Sequence, residues 1–564
     1  MISTVIVGFV VAYMIWTFVE LRLNLRKVHQ LDVPYICLPI DSNNVLWAIF
    51  QPYVWKILDR LPFPWSSYPD FVRYSRRGWH YADRSDTHVR LGPVWALVTP
   101  VAIYMHFADP NAINEIFTRR TDFVRPVKEY KLLEVYGPCI STAGWDDWAR
   151  HRRVLAAPFN NESIMEFVWD ESVRQAKGML DSWLLAGDTG IPSMQKDTRT
   201  LSLNVLASVG FRKPYTFRSS TEAMIDDADN YRNSLQTVLD NIIPLMLVPY
   251  RILSNPLFPR SWVRVGNAAV SFKHHMAKML DEEMTALKNK TPGSGGIMSA
   301  FLRALETHDQ EATSQEANTK RGLSVDEIFG NLFVINFAGH DTTANTLAFS
   351  MLLLAANPQV QEWISEEIRA VTEDLPVEDY KTLFPALKRC RAVLLETLRV
   401  YPPIMALPKW TSSKGAQTIR VGDRTLTIPP GVGTILYVRA IQSHPDHWPD
   451  PHTWKPSRWI SQGTSVSPGA ELRLNEQLLV PKENTFFPWS DGPQNCPGKK
   501  FAEVEAVAVL ACLFKQNRLF VKKEAHESNE AAQKRALACT HDVDMELLLR
   551  MTNADQVTLI YKQA

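Results

Sequence analysis

Cysteine is scarce in this sequence, and neither sign of charge dominates. Six cysteines are spread over 564 residues, none forms a CxxC pair, and no Cys/His cluster has the spacing of a zinc site. This pattern excludes a disulfide-stabilised scaffold and is typical of a reducing compartment. The 61 Lys and Arg residues nearly balance the 60 Asp and Glu residues, so no basic excess indicates a nucleic-acid partner.

An uncharged apolar run stands at the N-terminus. At ~1.5 Å per residue, Ile2 to Val19 would reach roughly 27 Å as a helix, about the thickness of an endoplasmic reticulum bilayer. Arg22 and Arg26 follow it, and positive charge on that flank favours a cytosolic C-terminal side. We predict a transmembrane signal anchor over 1–20, a membrane-proximal linker over 21–70 and a catalytic domain over 71–564. A buried core helix is the alternative for the apolar run.

A long helix is predicted after Ser324. Ser324 and Glu327 have the spacing of a capping box, and about 30 mostly apolar residues follow. A helix that is apolar on all sides must cross the middle of a large domain.

The centre of that helix, "AGHDTT", contains residues that suit a helix poorly. Gly339 costs about 1 kcal/mol relative to alanine, and Asp341 is a carboxylate that needs a partner in an apolar setting. Thr342 can donate a hydrogen bond to a carbonyl one turn earlier. An acid beside an alcohol can pass protons to a buried acceptor, which makes Asp341 and Thr342 catalytic candidates. The alternative is a kinked helix with a buried, paired aspartate.

Three further stretches contain charged or hydrogen-bonding side chains that could form a site. Glu396 and Arg399 face each other at a spacing of three residues, and Arg458 lies in an aromatic loop rich in proline. Trp148 and Arg152 lie one helical turn apart and could donate to carboxylates. An ordinary solvated helix face is the alternative for the last pair.

A glycine-flanked loop presents a single thiol, Cys496. Gly492 and Gly498 stand on either side of it, and a run of helix-forming residues follows. A cysteine at a helix N-terminus gains from the positive end of the helix dipole, which stabilises a thiolate. We expect Pro497 at the first helical position, where its missing N–H is spare. A structural thiol is the alternative.

Taken together and in this order, these stretches resemble the cytochrome P450 family of haem-thiolate monooxygenases. "AGHDTT" matches the family's pattern for its long helix, and Glu396 with Arg399 matches ExxR. The P-x-R-[FW] element is matched by "PSRW", which contains Arg458, and the haem loop is matched at Gly492, Cys496 and Gly498. The resemblance covers roughly residues 30–564, and the wording of the haem loop looks like that of filamentous-fungal members that tailor secondary metabolites.

The resemblance implies a mainly α fold with a minor β portion, preceded here by one N-terminal transmembrane helix. It implies haem b as cofactor, with Cys496 as the axial ligand of its iron, and Asp341 and Thr342 as the proton relay. The remaining roles it implies are cofactor binding by Trp148, Arg152, Lys409, Trp489, Gly492 and Gly498, and a structural network of Glu396, Arg399 and Arg458.

Two positions of the haem loop depart from the family's pattern. Trp489 stands where phenylalanine is usual, and Gln494 stands where an arginine or histidine usually meets a haem propionate. A neutral amide supplies no charge, so we expect the haem propionates to be bound mainly by Trp148, Arg152 and Lys409.

Partners follow from the same resemblance. Only 68 residues follow Cys496, without a phosphate-cradling glycine loop, so electrons are expected from NADPH-cytochrome P450 reductase, with cytochrome b5 as a further partner. The other expected partners are a hydrophobic small molecule and the lipid bilayer of the endoplasmic reticulum, with no nucleic acid. Two alternatives stay open: a haem-thiolate isomerase or dehydratase that does not use O₂, and a non-catalytic haem binder.

The stretches expected to line the substrate are Val124 to Trp145, 242–253, Phe337 to Thr342, Ile404 to Pro408, and Val543 to Leu548.

Overall fold

Helices form the larger part of the protein, because apolar residues recur at helical spacing over long stretches. In the computed structural model the α-helices are α1 (Ile2–His29), α2 (Val45–Leu58), α3 (Asp70–Arg73), α4 (Trp79–Asp83), α5 (Asp86–Leu91), α6 (Pro110–Thr118), α7 (Val127–Tyr130), α8 (Trp145–Phe159), α9 (Glu162–Ala186), α10 (Met194–Phe211), α11 (Tyr231–Asp240), α12 (Ile242–Leu247), α13 (Tyr250–Leu253), α14 (Arg260–Lys288), α15 (Gly296–Thr313), α16 (Val325–Ala356), α17 (Pro358–Val371), α18 (Tyr380–Ala386), α19 (Lys388–Val400), α20 (Val438–Gln442), α21 (Lys499–Phe514) and α22 (Asn529–Cys539). The structure describes residues 2–42, 44–211, 214–220, 231–289, 296–313, 321–373, 379–462, 476–545 and 547–564.

Strands form a minor part. They are β1 (Tyr35–Cys37), β2 (Val94–Val98), β3 (Ile103–Phe107), β4 (Phe123–Val124), β5 (Leu407–Thr411), β6 (Gln417–Val421), β7 (Arg424–Ile428), β8 (Gly433–Leu436), β9 (Ile460–Gln462), β10 (Glu476–Leu478), β11 (Asn517–Val521), β12 (Val543–Met545), β13 (Leu549–Met551) and β14 (Leu559–Gln563). Six of them form a mixed sheet in the order β1-β2-β3-β8-β5-β4, in which β1 is parallel to β2 and β3 is parallel to β8. The remaining strands pair as antiparallel hairpins or ribbons: β6 with β7, β9 with β10, β11 with β14, and β12 with β13. The architecture is therefore mainly α with a minor β portion, as predicted.

The N-terminal helix is attached to the sheet. The side-chain amide of Asn24 on α1 donates to the carbonyl of Thr99, 3.0 Å away, and Val28 on the same helix is fully buried. Strand β1 and helix α2 lie in the stretch that was expected to be a linker.

A helix able to span a membrane is not found among the described residues. The transmembrane helix predicted over 1–20 is therefore not found there. The helix that begins at Ile2 continues without a break to His29, so its second half carries the charged Glu20, Arg22 and Arg26 and docks on the sheet. The side chains of residues 1–6, 9 and 10 lie outside the described set.

Helix α16 lies in the middle of the larger hydrophobic core. The predicted capping box is confirmed: the Glu327 N–H donates to Ser324 Oγ (3.3 Å), and the Ser324 N–H donates to Glu327 Oε2 (2.8 Å). Most of its side chains are buried, packed along α10, while α21 packs along α9. This arrangement places "AGHDTT" and the helix after Cys496 in the same core.

A second core beside the sheet holds the buried His88 and His106, and the half-buried His80 lies next to them. His106 stacks on Trp95 with ring centroids 4.3 Å apart, and neither of its ring nitrogens has a partner in the described part of the chain. Burial lowers the pKa of His80 and of His88 to about 3 and holds that of His106 well below its ordinary value. All three are neutral in the folded protein at neutral pH.

Acidification is therefore expected to destabilise the protein. Because the folded pKa values lie below the unfolded value of about 6.5, the unfolded chain takes up protons first as the pH falls, and stability is lost between pH 6.5 and about 3. Each histidine should cost about 2 kcal/mol at pH 5 relative to pH 7. Urea unfolding at several pH values measures this slope. His106→Phe should reduce the loss between pH 7 and pH 5 by about 2 kcal/mol, the share of one histidine. Replacing the exposed His274 by Phe should leave the loss unchanged, and equal slopes for all three proteins would contradict the account.

Candidate active site

The loop that carries Cys496 is closed by backbone hydrogen bonds. The Cys496 N–H donates to the carbonyl of Trp489 over 2.8 Å, and the Asn495 N–H donates to that of Gly492 over 3.2 Å. Gly492 has φ +65°, and a Cβ there would lie 3.1 Å from the carbonyl oxygen of Phe117. Glycine is thus required at 492, where the chain turns in the left-handed region against α6.

Helix α21 begins two residues later than the sequence predicted. Its first residue is Lys499 and its N-cap is Gly498 with φ −85°, so Pro497 precedes the helix and is not its first residue. A Cβ at Gly498 would meet only Cys496 Sγ, at an ordinary 3.9 Å. The protein backbone itself does not require glycine at 498.

Cys496 is accessible at the surface of its loop, although protein surrounds most of it. Burial raises the pKa of this thiol, while the backbone N–H of Gly498 and the charge of Arg152 oppose that shift. One backbone donor and one nearby positive charge that favour a thiolate are therefore in place around a sulfur that the protein alone does not ionise.

Donors from other elements gather at the residues just before Cys496. Arg152 on α8 donates from Nη1 to the carbonyl of Asn495 over 2.8 Å and from Nη2 to the Asn495 side-chain oxygen. Trp148, one turn earlier, stacks on Trp145 with centroids 5.2 Å apart, and its buried Nε1–H has no acceptor among the described residues. Trp148 thus keeps a donor free in a buried setting, where an unpaired donor is costly.

Gln494 is held by two cations. Lys409 on β5 donates from Nζ to Gln494 Oε1 over 2.6 Å, and Arg125 donates to the backbone carbonyl of Gln494 over 3.1 Å. Burial, and then the charge of Arg125, lower the pKa of Lys409 to about 7. The neutral amide at 494 therefore lies between positive charges that other elements supply.

Trp489 lies at the edge of the loop. Its half-buried ring meets Phe486 edge-on at 6.4 Å, and the Lys499 ammonium lies 5.4 Å from its centre. These contacts brace the first turn of α21 against the loop.

The centre of α16 contains the predicted acid and alcohol. Thr342 Oγ1 donates to the carbonyl of Ala338 over 2.8 Å, the back-bond expected from the sequence. Ala338 is exposed in a helix whose other residues are largely buried.

Asp341 has the partner that a carboxylate in this core requires. Arg199 on α10 donates from Nε to Asp341 Oδ1 over 2.9 Å, and its Nη2 lies 2.8 Å from Asp240 Oδ1 at the end of α11. Burial alone would lower the pKa of Arg199, but Asp341 and Asp240 raise it above its usual value. The guanidinium therefore stays charged and ties the acid of α16 to α10 and α11.

Glu396, Arg399 and Arg458 meet in one buried network. Arg399 forms a two-pronged ion pair with Glu396 at 2.8 and 2.9 Å, and Arg458 Nε donates to Glu396 Oε1 over 2.9 Å. The Trp459 indole and the Lys455 backbone N–H donate to the same carboxylate. Arg399 also donates to three backbone carbonyls, so the charges in this network are fully hydrogen-bonded.

Comparison with known proteins identifies the family. The sequence model of the cytochrome P450 family matches residues 71–542. This chain belongs to that family.

Several of the proteins that it resembles are named cytochrome P450 monooxygenases. The chain is 28% identical to a cytochrome P450 monooxygenase of Arthrobotrys oligospora, over 98% of this chain and 97% of the relative. It is 25% identical to the cytochrome P450 monooxygenase of the phomenoic acid biosynthesis cluster of Leptosphaeria maculans, over 90% of each chain. A crystal structure of a cytochrome P450 superposes with a TM-score of 0.61 at 18% identity, over 85% of this chain and 96% of the other, and so shares the fold. The enzyme class is cytochrome P450 monooxygenase, and the cofactor of the family is haem b.

The residues present fit haem b. An accessible thiol, an unpaired buried indole N–H, and the cations Arg125, Arg152 and Lys409 surround one loop. Sulfur is the donor that haem-thiolate iron requires, and carboxylates such as propionates seek such donors. In this P450, Cys496 would bind the iron, while Trp148, Arg152 and Lys409 would hold propionates.

Removal of the Lys409 charge should weaken haem retention. Lys409→Met takes away the cation next to Gln494, so we expect haem to transfer to apomyoglobin about tenfold faster, the size of one lost charge-assisted hydrogen bond. The exposed Lys414, in the connection between β5 and β6, gives a matched control, Lys414→Met. Equal transfer rates for both variants would show that Lys409 does not hold a propionate.

Arg125, Arg199 and Asn495 were not singled out from the sequence. Arg125 and Arg199 lie 369 and 142 positions from the residues they contact in the site, and no local motif marks either of them. Asn495 adjoins Cys496, but its contact with Arg152 joins positions 343 residues apart. The one signal for Arg199 was indirect: an aspartate in an apolar helix requires a partner.

Proposed function

We propose that this P450 uses NADPH and O₂ to hydroxylate or otherwise oxidise a hydrophobic small molecule in fungal secondary metabolism. The observation that carries the proposal is the cation-lined loop around Cys496, combined with the paired acid and alcohol of α16. Bound haem would supply oxygen activation at its iron. The chain's own residues supply the ligand, the propionate donors and a route for protons.

Asp341 and Thr342 deliver protons in this proposal. The Thr342 hydroxyl donates to the carbonyl of the exposed Ala338, and the half-buried Asp341 is paired with Arg199. The carboxylate can therefore exchange protons toward solvent while the hydroxyl passes them inward. A haem-thiolate isomerase, which needs no such relay, and a non-catalytic haem binder are the competing functions.

The electron donor and location are part of the proposal. NADPH-cytochrome P450 reductase supplies electrons, with cytochrome b5 as a second donor, and members of the family generally use a separate redox partner and hydrophobic substrates. The apolar Ile2 to Val19 run supports attachment to the endoplasmic reticulum, with the catalytic domain in the cytosol. Exposed apolar side chains on α1, among them Met14, Ile15 and Phe18, are consistent with contact with lipid.

Isotope-labelled O₂ separates the three functions. Extract from a strain lacking the gene, in which the substrate accumulates, is incubated with the full-length enzyme, reductase and NADPH. We expect a product that carries the label and forms only when NADPH, reductase and O₂ are all present. Product formed without O₂ would favour the isomerase, and unchanged extract with normal gas binding would favour the haem binder.

Thr342→Ala tests the relay within the same assay. Without the hydroxyl, reducing equivalents should leave as hydrogen peroxide, and product formed per NADPH should fall at least about tenfold. Thr343→Ala is the matched control, because the neighbouring hydroxyl is buried and donates to the carbonyl of Gly339 over 3.2 Å. Unchanged coupling in Thr342→Ala, or an equal loss in both variants, would refute the relay.

A further inference from the structure

Arg439 is a buried cation without an acceptor. It lies on α20, its residue is 2% exposed, and its Nε and Nη1 have no hydrogen-bond partner among the described residues. No carboxylate in the described part of the chain forms an ion pair with it. Arg399, which is also fully buried, donates hydrogen bonds from all three of its guanidinium nitrogens, so the core can satisfy a guanidinium where one is structural.

The polar groups nearest to Arg439 are engaged with one another. Its guanidinium carbon lies 5.7 Å from the centre of the Tyr81 ring, and the Tyr81 hydroxyl contacts His541 Nδ1 at 3.0 Å. Tyr401 stacks on Tyr81 with centroids 6.3 Å apart, and its hydroxyl contacts Thr540 Oγ1 at 2.8 Å. The aromatic face offers a weak cation–π contact but no oxygen acceptor.

Two further arginines lie near Arg439. Burial, and then the charges of Arg84 and Arg399, lower the pKa of Arg439 to about 10, although Tyr81 opposes the shift. Burial and the same group of arginines also lower the pKa of His452 and of His541, which keeps both rings neutral. An uncompensated cation in such a place carries a large desolvation cost unless an anion joins it.

We propose that a small monovalent anion of the size and charge of chloride binds beside the guanidinium of Arg439, between α4, the end of α19 and α20. The guanidinium supplies the hydrogen-bond donors and Arg84 adds long-range attraction. The ion must be small because the side chain is almost completely enclosed.

This site is separate from the proposed haem site. The backbone N–H of Arg439 donates to the carbonyl of Met405 over 3.1 Å, and the Met405 side chain is fully buried. Ile404 and Ala406 on either side of it are half-buried and belong to the stretch expected to line the substrate. A bound anion would brace the wall behind that stretch without touching Cys496.

Halide-dependent unfolding of the holoenzyme tests the proposal. The thermal midpoint is measured as bromide replaces gluconate at constant ionic strength, because gluconate is too large for the enclosed space. Wild-type protein should gain roughly 2 °C when bromide reaches about 100 times its dissociation constant. Arg439→Met should show no gain, and Arg420→Met, at a 75% exposed side chain, should behave like wild type.

Two results would overturn the proposal: a wild-type midpoint that does not respond to bromide, or an equal response in Arg439→Met. If Arg439→Met does not fold, two other measurements show whether an anion binds beside Arg439. They are the bromide titration of the wild-type protein and the anomalous scattering of crystals grown in bromide. A bromide peak beside the Arg439 guanidinium supports the site, and its absence there rejects it. Neither readout depends on monooxygenase activity.

Discussion

Cys496→Ser should abolish the absorption band of the reduced carbon monoxide complex that characterises the P450 family. An alcohol oxygen cannot replace an anionic sulfur as the donor that pushes electron density onto haem iron. Product formation should fall below detection, because oxygen activation depends on that donor. The measurement is a reduced-plus-CO difference spectrum of purified protein, with haem content determined on the same sample.

Cys539→Ser is the control for this experiment. Cys539 is half-buried at the end of α22, and its thiol donates to the carbonyl of Asn553 over 3.5 Å. Its loss should leave the spectrum unchanged. Retention of the band in Cys496→Ser would show that another residue binds the iron, and the proposed function would then lose its basis.

Glu396→Gln should destabilise the folded protein by about 3–5 kcal/mol, enough to prevent accumulation of holoenzyme. Glu396 is fully buried and accepts hydrogen bonds from Arg399, Arg458, Trp459 and the Lys455 backbone. The amide has the same shape but carries no charge, so two largely buried arginines lose their counter-charge. A buried unpaired cation costs far more than the hydrogen bonds it formed.

An exposed ion pair gives the contrast. Asp423 lies 3.9 Å from Arg420, and both side chains are solvated. Asp423→Asn should therefore change stability by no more than about 0.5 kcal/mol. Urea unfolding and haem content report both variants. Similar stabilities for Glu396→Gln and Asp423→Asn would show that the buried network does not hold this fold together.

Local relations were predictable from the sequence because they join residues within one helical turn. The capping box of Ser324 and Glu327, the back-bond from Thr342 and the Glu396–Arg399 pair all span three or four positions, and helix geometry alone brings such side chains together. Pro497 shows the limit even at short range. The hydrogen bonds that close the Cys496 loop delay the start of α21 to Lys499.

The sequence by itself determined which residue types carry the chemistry: one loop thiol, an acid beside an alcohol, and a glutamate with its arginine. Only the tertiary structure decided their partners, since Lys409 meets Gln494, Arg199 meets Asp341 and Arg152 meets Asn495 across 85, 142 and 343 positions. Contacts between residues so far apart in sequence depend on how the sheet and the helices pack. Spacing along the chain does not predict them. The same packing left Nε and Nη1 of Arg439 without a hydrogen-bond partner in the described part of the chain, and no sequence motif indicated this.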